Sequence, residues 1–289
     1  MSKPIIASIA YVNDILKEFD THAKKRFGQN FIVDANIIHK IVNSAGVDSD
    51  TMVLEIGPGM GSLTQVLLQK AKKVVAIEID PLMVELCERH FKDEPHFTLI
   101  HDDVLNVNFE ELFKEHHCLN DQCMVVANLP YYITTPILFK LIESNVCFNA
   151  MHLMVQKEVA ERFSAKVNTK EYNALSIIIQ TLFEVKVALE VSRHVFIPKP
   201  AVDSSVVSLK RKQINYQAYK PYFDFLKSAF VQRRKTLYNN LKQVYDGETI
   251  KKALHQAQLS ESIRAEACTH EQLYALFTQL NQKQGNNHE

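Results

Sequence analysis

Asn128, Leu129, Pro130 and Tyr131 follow directly on Cys123-Met124-Val125-Val126-Ala127, an apolar run that reads as a buried strand. The end of such a strand is where open α/β sheets hold their ligands. An Asn side-chain oxygen and a neighbouring backbone carbonyl, here that of Pro130, can each accept a hydrogen bond from an NH2 group. A Tyr ring can stack on a planar heterocycle. Together they would hold an exocyclic amine still. Taken alone, the four residues read equally well as a strand followed by a turn.

Three earlier segments deliver polar groups or glycines to the corresponding place. Thr51–Ile56 reads as a buried strand running into Gly57-Pro58-Gly59-Met60-Gly61, after which Leu63, Val66, Leu67 and Leu68 begin a helix. Strand, glycine turn and helix make the first βα unit of a Rossmann-like sheet, and the glycines let a ligand approach the backbone closely. The spacing is G-x-G-x-G rather than the G-x-G-x-x-G that seats a pyrophosphate, which favours a ligand without phosphate. Glu78 ends the next strand, 21 residues after Gly57, where an acid can accept both hydroxyls of a ribose. The strand at Phe97–His101 ends in Asp102-Asp103-Val104, whose carboxylates suit an adenine amino group. Four strands with functional groups at one end are hard to attribute to chance.

The elements that position these groups are legible from apolar spacing. Helices are expected around Val12–Phe19, over 35–45, from Thr134, over 156–163 and over Ala174–Leu182. Another strand is expected at Met151–Val155, and a closing pair at Val185–Val191 and Ser205–Leu209. Between that pair lies Phe196-Ile197-Pro198-Lys199-Pro200-Ala201-Val202-Asp203-Ser204, an extended loop restricted by its prolines. Phe196 reads either as a second aromatic wall for a planar substrate or as a core residue. Beyond Lys212 the pattern turns to helices without strands, interrupted by the cationic Gln232-Arg233-Arg234-Lys235-Thr236. The fold class is therefore α/β, with residues 1–212 a Rossmann-like catalytic domain and 213–289 a small all-helical domain.

Lys+Arg and Asp+Glu both number 33, so the net charge names no partner. Its distribution is uneven: residues 199–289 hold 14 basic against 8 acidic side chains, a surface suited to a polyanion. Lys24, Lys25 and Arg26 add cations beside the amide-rich turn Gly28-Gln29-Asn30, where Gln29 and Asn30 could bond a small ligand. Five scattered cysteines form no zinc-spaced pair, and His116-His117-Cys118 lacks a second pair, so no metal site is expected. No apolar run approaches the length of a membrane span, and no signal segment stands at the N-terminus. A cytoplasmic protein without membrane attachment is expected, and no dimer surface is evident, so a monomer is expected.

Taken together, Lys25–Phe31, Glu55–Gly61, Ile77–Asp80, Asn128–Tyr131, Gln156–Val159, Phe196–Ser204 and Gln232–Thr236 resemble the ribosomal RNA adenine N6-dimethyltransferase family. Within it they resemble the enzymes that modify small-subunit (16S) rRNA. The resemblance implies S-adenosylmethionine as methyl donor. It implies that Asn30 and the backbone at Ile32 and Gly57 line the donor pocket, that Glu78 takes the ribose and Asp103 the adenine, and that Asn128 lies between donor and acceptor. Asn128, Pro130, Tyr131 and Phe196 are the expected catalytic residues. The implied substrate is a pair of adjacent adenosines in the 3′-terminal hairpin loop of 16S rRNA in an immature small subunit, each methylated twice. Lys24, Lys25, Arg26, Arg233, Arg234 and Lys235 are expected to meet its phosphates.

The sister branch, which methylates a large-subunit rRNA adenosine and confers macrolide resistance, more often carries Asn-Ile-Pro-Tyr and Val-Asn-Ser. Here the corresponding residues are Asn128-Leu129-Pro130-Tyr131 and Val202-Asp203-Ser204. One departure from the usual pattern is Tyr132, where Asn is common, which puts a polar role at 132 in doubt. Two other readings are a binding factor that checks ribosomal subunits without methyl transfer, and an NAD-dependent oxidoreductase. The glycine spacing disfavours the latter.

Overall fold

The computed structural model describes residues 4–20, 28–115, 122–144 and 146–281. The chain divides into two compact units, one of Met1–Ala160 with Glu184–Arg211 and one of Glu161–Phe183 with Lys212–Glu289.

In the first unit the order is α1 (Ile9–Glu18), β1 (Phe31–Ile32), α2 (Ala35–Ala45), β2 (Thr51–Ile56), α3 (Ser62–Leu67), β3 (Lys73–Glu78), α4 (Pro81–Phe91), β4 (Phe97–His101) and α5 (Phe109–Glu115). Next come β5 (Gln122–Asn128), α6 (Thr134–Glu143), β6 (Phe148–Gln156) and α7 (Lys157–Phe163), whose last turn enters the second unit. The helix α8 (Ala174–Leu182) precedes β7 (Phe183–Val191), β8 (Phe196–Ile197) and β9 (Ser204–Arg211).

Seven strands form one sheet in the order β4-β3-β2-β5-β6-β9-β7. The pairs β4–β3, β3–β2, β2–β5 and β5–β6 are parallel, and β9 joins β6 antiparallel. Every residue of β2 is buried, as are Val74–Glu78 of β3. Parallel strands covered on both faces are continuous apolar runs of this kind, which is why no polar alternation is seen in the sequence. Chain order runs outward from β2 in one direction to β4 and then returns to place β5 on the other side of β2. That reversal opens a crevice at the carboxyl ends of β2 and β5.

Local chemistry sets the helix starts. Asp34 and Asp80 cap α2 and α4, accepting from Asn36 and Leu82 N–H groups, and Pro81 occupies the first turn of α4, where a missing N–H costs nothing. The two-residue strands β1 and β8 pair antiparallel, Phe31 opposite Ile197 and Ile32 opposite Phe196.

The second unit is helical. It contains α8, then α9 (Tyr216–Ala229), α10 (Leu237–Leu241), α11 (Gly247–Gln256) and α12 (His270–Asn281). Residues 161–183 thus group with the C-terminal helices. Gln180 of α8 donates to the carbonyls of Phe163 and Ala165, and Lys212 donates to Gln180 and Leu182 carbonyls, which ties both segments into one body. Tyr222 of α9 is 1% exposed and meets Tyr274 of α12 edge-on, ring centroids 5.0 Å apart.

Candidate active site

The turn after β2 carries three glycines with positive φ, Gly57 at 67°, Gly59 at 57° and Gly61 at 89°. At Gly61 a Cβ would stand 2.4 Å from the Phe91 ring, so this position closes the turn against α4. At Gly57 a Cβ would meet nothing within 4 Å, and the residue lines a cleft at the end of the sheet. Its N–H donates to the Ile77 carbonyl (2.9 Å), joining the turn to β3.

Glu78 ends β3 at 6% exposure. One carboxylate oxygen accepts from Gly59 N–H (3.1 Å), the other from Ile79 and Asp80 N–H groups (both 2.9 Å). Burial pushes this carboxyl above its ordinary range, and the three N–H donors oppose that shift. Glu55, at the end of β2, is 1% exposed and pushed up by burial to about 8, with Thr64 Oγ1 donating to it at 2.7 Å. Burial thus favours its neutral form. Asp103, half-buried after β4, accepts from Leu105 N–H (2.9 Å).

The turn before β1 closes the opposite wall. Gln29 Nε2 donates to Asp80 (2.8 Å), and Asn30 Nδ2 donates to the Gly28 carbonyl (2.9 Å). Asn128 Nδ2 donates to the Asn30 carbonyl (3.2 Å), which fixes the side-chain oxygen of Asn128 as the end available to a ligand. Asn30, Ile32, Gly57, Glu78, Asp103, Asn128, Pro130 and Tyr131 all line the same cleft. The sequence-derived site is thus brought together from β1, β2, β3, β4 and β5.

Phe196 stands apart. It is 2% exposed, belongs to the core cluster with Ile32 and Val206, and is not among the residues of the cleft. Of its two readings, the structure places it in the core, where it pairs with Ile32 and supports β1. An aromatic wall at Phe196 is therefore corrected: the ring is buried in the core cluster, opposite Ile32, and is not among the residues that line the cleft. Lys24, Lys25, Arg26 and the His116-His117-Cys118 group lie outside the described residues. Among the described residues no His/Cys/Asp/Glu group could hold a metal ion, and no helix is long and apolar enough to cross a membrane.

In the helical unit, Arg233, Arg234 and Lys235 lie between α9 and α10 and are exposed. Arg233 pairs with Glu266 (3.3 Å) and donates to the carbonyls of Lys170 and Thr169. It braces the 169–170 turn of its own unit.

Tyr132 is a cleft residue that motif reasoning underrated. It is 55% exposed, and its ring lies 3.0 Å from where a Cβ on Gly28 would stand. Thr134 and Ser204 were missed as well: Thr134 Oγ1 donates to the Pro130 carbonyl (3.1 Å), and Ser204 shares a hydrogen bond with the Tyr131 hydroxyl (2.5 Å). No local pattern announces either contact.

The cleft residues include four carboxyl side chains, Glu55, Glu78, Asp102 and Asp103, and among the described residues no lysine, arginine or histidine. With Glu55 protonated, Glu78, Asp102 and Asp103 are left to carry the charge of this lining, which repels phosphate and accepts a cation. The family model for ribosomal RNA adenine dimethylase matches residues 20–282. The chain belongs to that family. The dimethylase relatives include the ribosomal RNA small subunit methyltransferase A of Lactococcus lactis, 43% identical over 95% of this chain and 96% of that protein. The protein of the same name from Mycoplasmopsis pulmonis is 44% identical over 89% of this chain and 99% of its own length. Among solved structures, a dimethyladenosine transferase from Plasmodium falciparum superposes with a TM-score of 0.70 at 27% identity, covering 88% of this chain and 98% of that one. The 23S rRNA methyltransferase ErmE superposes with a TM-score of 0.63 at 25% identity, covering 87% and 99%. The Rossmann-like methyltransferase sheet read from the sequence is the fold observed.

Proposed function

We propose that this dimethylase transfers methyl groups from S-adenosylmethionine to N6 of two adjacent adenosines in the 3′-terminal hairpin loop of 16S rRNA, twice each, during small-subunit assembly. The observation that carries this reading is a cleft at the sheet's switch point that is acidic and, among the described residues, free of cations, with Asn128 in its lining. The curated relatives at 42–44% identity bear the small-subunit name, which supports 16S over 23S rRNA. The same lining argues against a dinucleotide, whose pyrophosphate would face carboxylates. An intact cleft argues against a factor that only binds.

When bound, S-adenosylmethionine supplies an electrophilic methyl group on a positively charged sulfur. The cleft suits it: Glu78 accepts the ribose hydroxyls, Asp103 accepts from the adenine amino group, and Asn30 with the backbone of Ile32 and Gly57 holds the remainder. Acceptor N6 is a poor nucleophile because its lone pair is delocalised into the ring. The Asn128 oxygen accepts one N6–H and the Pro130 carbonyl the other, turning the lone pair out of conjugation and toward the donor. The Pro130 carbonyl already accepts from Ile133 N–H (3.2 Å) and Thr134 Oγ1 (3.1 Å), and it has two lone pairs. Thr134 must therefore swing its hydroxyl aside as the substrate base arrives. The N6–CH3 bond forms as the S–CH3 bond breaks, leaving S-adenosylhomocysteine, and the cationic N6 then loses a proton to water, so rate comes from positioning and electrostatics with no general base required. Flipping the base out costs a few kcal/mol, and stacking on Tyr131 returns about 1–3 kcal/mol.

Residues 213–289 serve as the RNA-binding domain in this proposal. Arg234 and Lys235 meet phosphate, Arg233 holds their turn while contributing charge, and Lys24, Lys25 and Arg26 add a second group of cations. The protein works as a cytoplasmic monomer.

The direct test is the Asn128→Ala enzyme, assayed for methyl transfer from labelled donor and for S-adenosylhomocysteine affinity by calorimetry. Transfer should vanish while affinity stays within about tenfold, one hydrogen bond being the most the donor side loses. Undiminished turnover would sink the role given to Asn128.

A further inference from the structure

The segment Pro198–Ser204 has no direct place in the cleft, yet its last residue touches the cleft's aromatic. Ser204 is 0% exposed and shares a 2.5 Å hydrogen bond with the Tyr131 hydroxyl. Strand register puts it there. Asn128 of β5 faces Met154 of β6, Met154 faces Val206 of β9, and Ser204 faces Gln156. Ser204 is thus two residues along β9 from the row of Asn128, on the same face, just past the end of β5 where Tyr131 begins its turn.

The start of β9 is itself pinned. Asp203 accepts from Arg193 N–H through its side chain (2.9 Å) and from Lys157 N–H through its carbonyl (3.0 Å). The Arg193 guanidinium donates to the Ala201 carbonyl (2.8 Å). The loop therefore presents one hydroxyl at a fixed point of the sheet.

Tyr131 needs such a point. It lies in the five-residue connection between β5 and α6, and it lines the cleft. A ring attached only at Cβ swings about two torsions, whereas one held at both Cβ and hydroxyl keeps its plane. We propose that Ser204 is a positioning residue for the reaction, holding the Tyr131 ring in the plane on which the acceptor adenine stacks. This rests on the functional reading above. It assigns the Pro198–Ser204 segment the task of aiming the aromatic of a motif 73 residues away. Ser204 touches neither donor nor acceptor and acts through Tyr131 alone.

The competing view is that a buried Ser and a half-buried Tyr merely satisfy each other's polar atoms. A double-mutant cycle separates the two. Tyr131→Phe, Ser204→Ala and the double variant are compared with the unmodified enzyme for kcat on unmethylated small subunits, for S-adenosylhomocysteine affinity, and for melting temperature. Tyr131→Phe keeps Ser204 and the ring, so the cycle is informative even where Ser204→Ala folds poorly.

Each single change should lower kcat by roughly tenfold, the scale of a small misplacement of a reacting group. Donor affinity should not move, and the double variant should be no slower than either single one. In a Tyr131→Ala background, Ser204→Ala should cost nothing further in kcat. Losses that multiply, or a melting shift with kcat intact, would overturn the proposal. An unmodified enzyme silent on both ribosomal subunits would overturn the functional reading and this proposal together, whereas an active enzyme with independent losses overturns the proposal alone.

Discussion

The side chains that define the cleft are held by one another before any ligand arrives. Asn128 is oriented by the Asn30 carbonyl, Glu78 by three backbone N–H groups, and Gln29 by Asp80. Fixed dipoles of this kind need no reorganisation at the moment of reaction. Glu55 makes a prediction that concerns stability alone. Its carboxyl sits near 8 in the folded chain against an ordinary value of 4.5, so the folded state holds a proton that the unfolded state has released. Folding stability contributed this way is complete below about pH 4.5 and falls as pH rises through about 8. Melting temperature should decline across that window, and Glu55→Gln should flatten the decline while keeping the Thr64 hydrogen bond. A decline unchanged in the variant would mean that another group carries it. Thr134→Val should retain methyl transfer, because it frees the Pro130 carbonyl without opening a void. Loss of turnover with donor binding intact would show that the hydroxyl itself takes part.

At the scale of elements, the glycine turn is the tightest constraint. Gly61→Ala places a methyl 2.4 Å from a carbon of the Phe91 ring, and it does so at a φ of 89°. Phe91 is 2% exposed and packed against Phe97, so neither ring yields easily. A loss of about 1–3 kcal/mol in denaturant unfolding is expected from overpacking, before any backbone strain. Wild-type stability in that variant would mean the ring has room. The strands around this turn were readable because parallel strands are continuous apolar runs, as Thr51–Ile56 and Lys73–Glu78 show. The helices α2 and α6 were readable from their spacing. The pair β1–β8 was not, since two residues carry no period, and Phe196 stayed ambiguous for that reason. The contacts of Gln29 with Asp80 and of Tyr131 with Ser204 span 51 and 73 residues and leave no local trace. Helical spacing identified Ala174–Leu182 as a helix but not the body it packs with, which is decided by long-range contacts such as Lys212 with Gln180.

For the whole molecule, the proposed division between donor and acceptor follows charge. The cleft gathers carboxylates, and the basic excess lies in residues 199–289. That division suits a cationic small ligand in the sheet and a polyanion against the helices. Replacing Arg234 and Lys235 by Ala should reduce the slope of log affinity against log salt by about one unit each for rRNA binding, with donor affinity unchanged. An unaltered slope would make them solubilising surface. The central claim is the identity of the product. Unmethylated small and large ribosomal subunits, incubated with labelled S-adenosylmethionine and this enzyme, should give label only in 16S rRNA, as N6,N6-dimethyladenosine at two adjacent positions of the 3′-terminal hairpin. Label in 23S rRNA, or at a nucleoside other than adenosine, would contradict it.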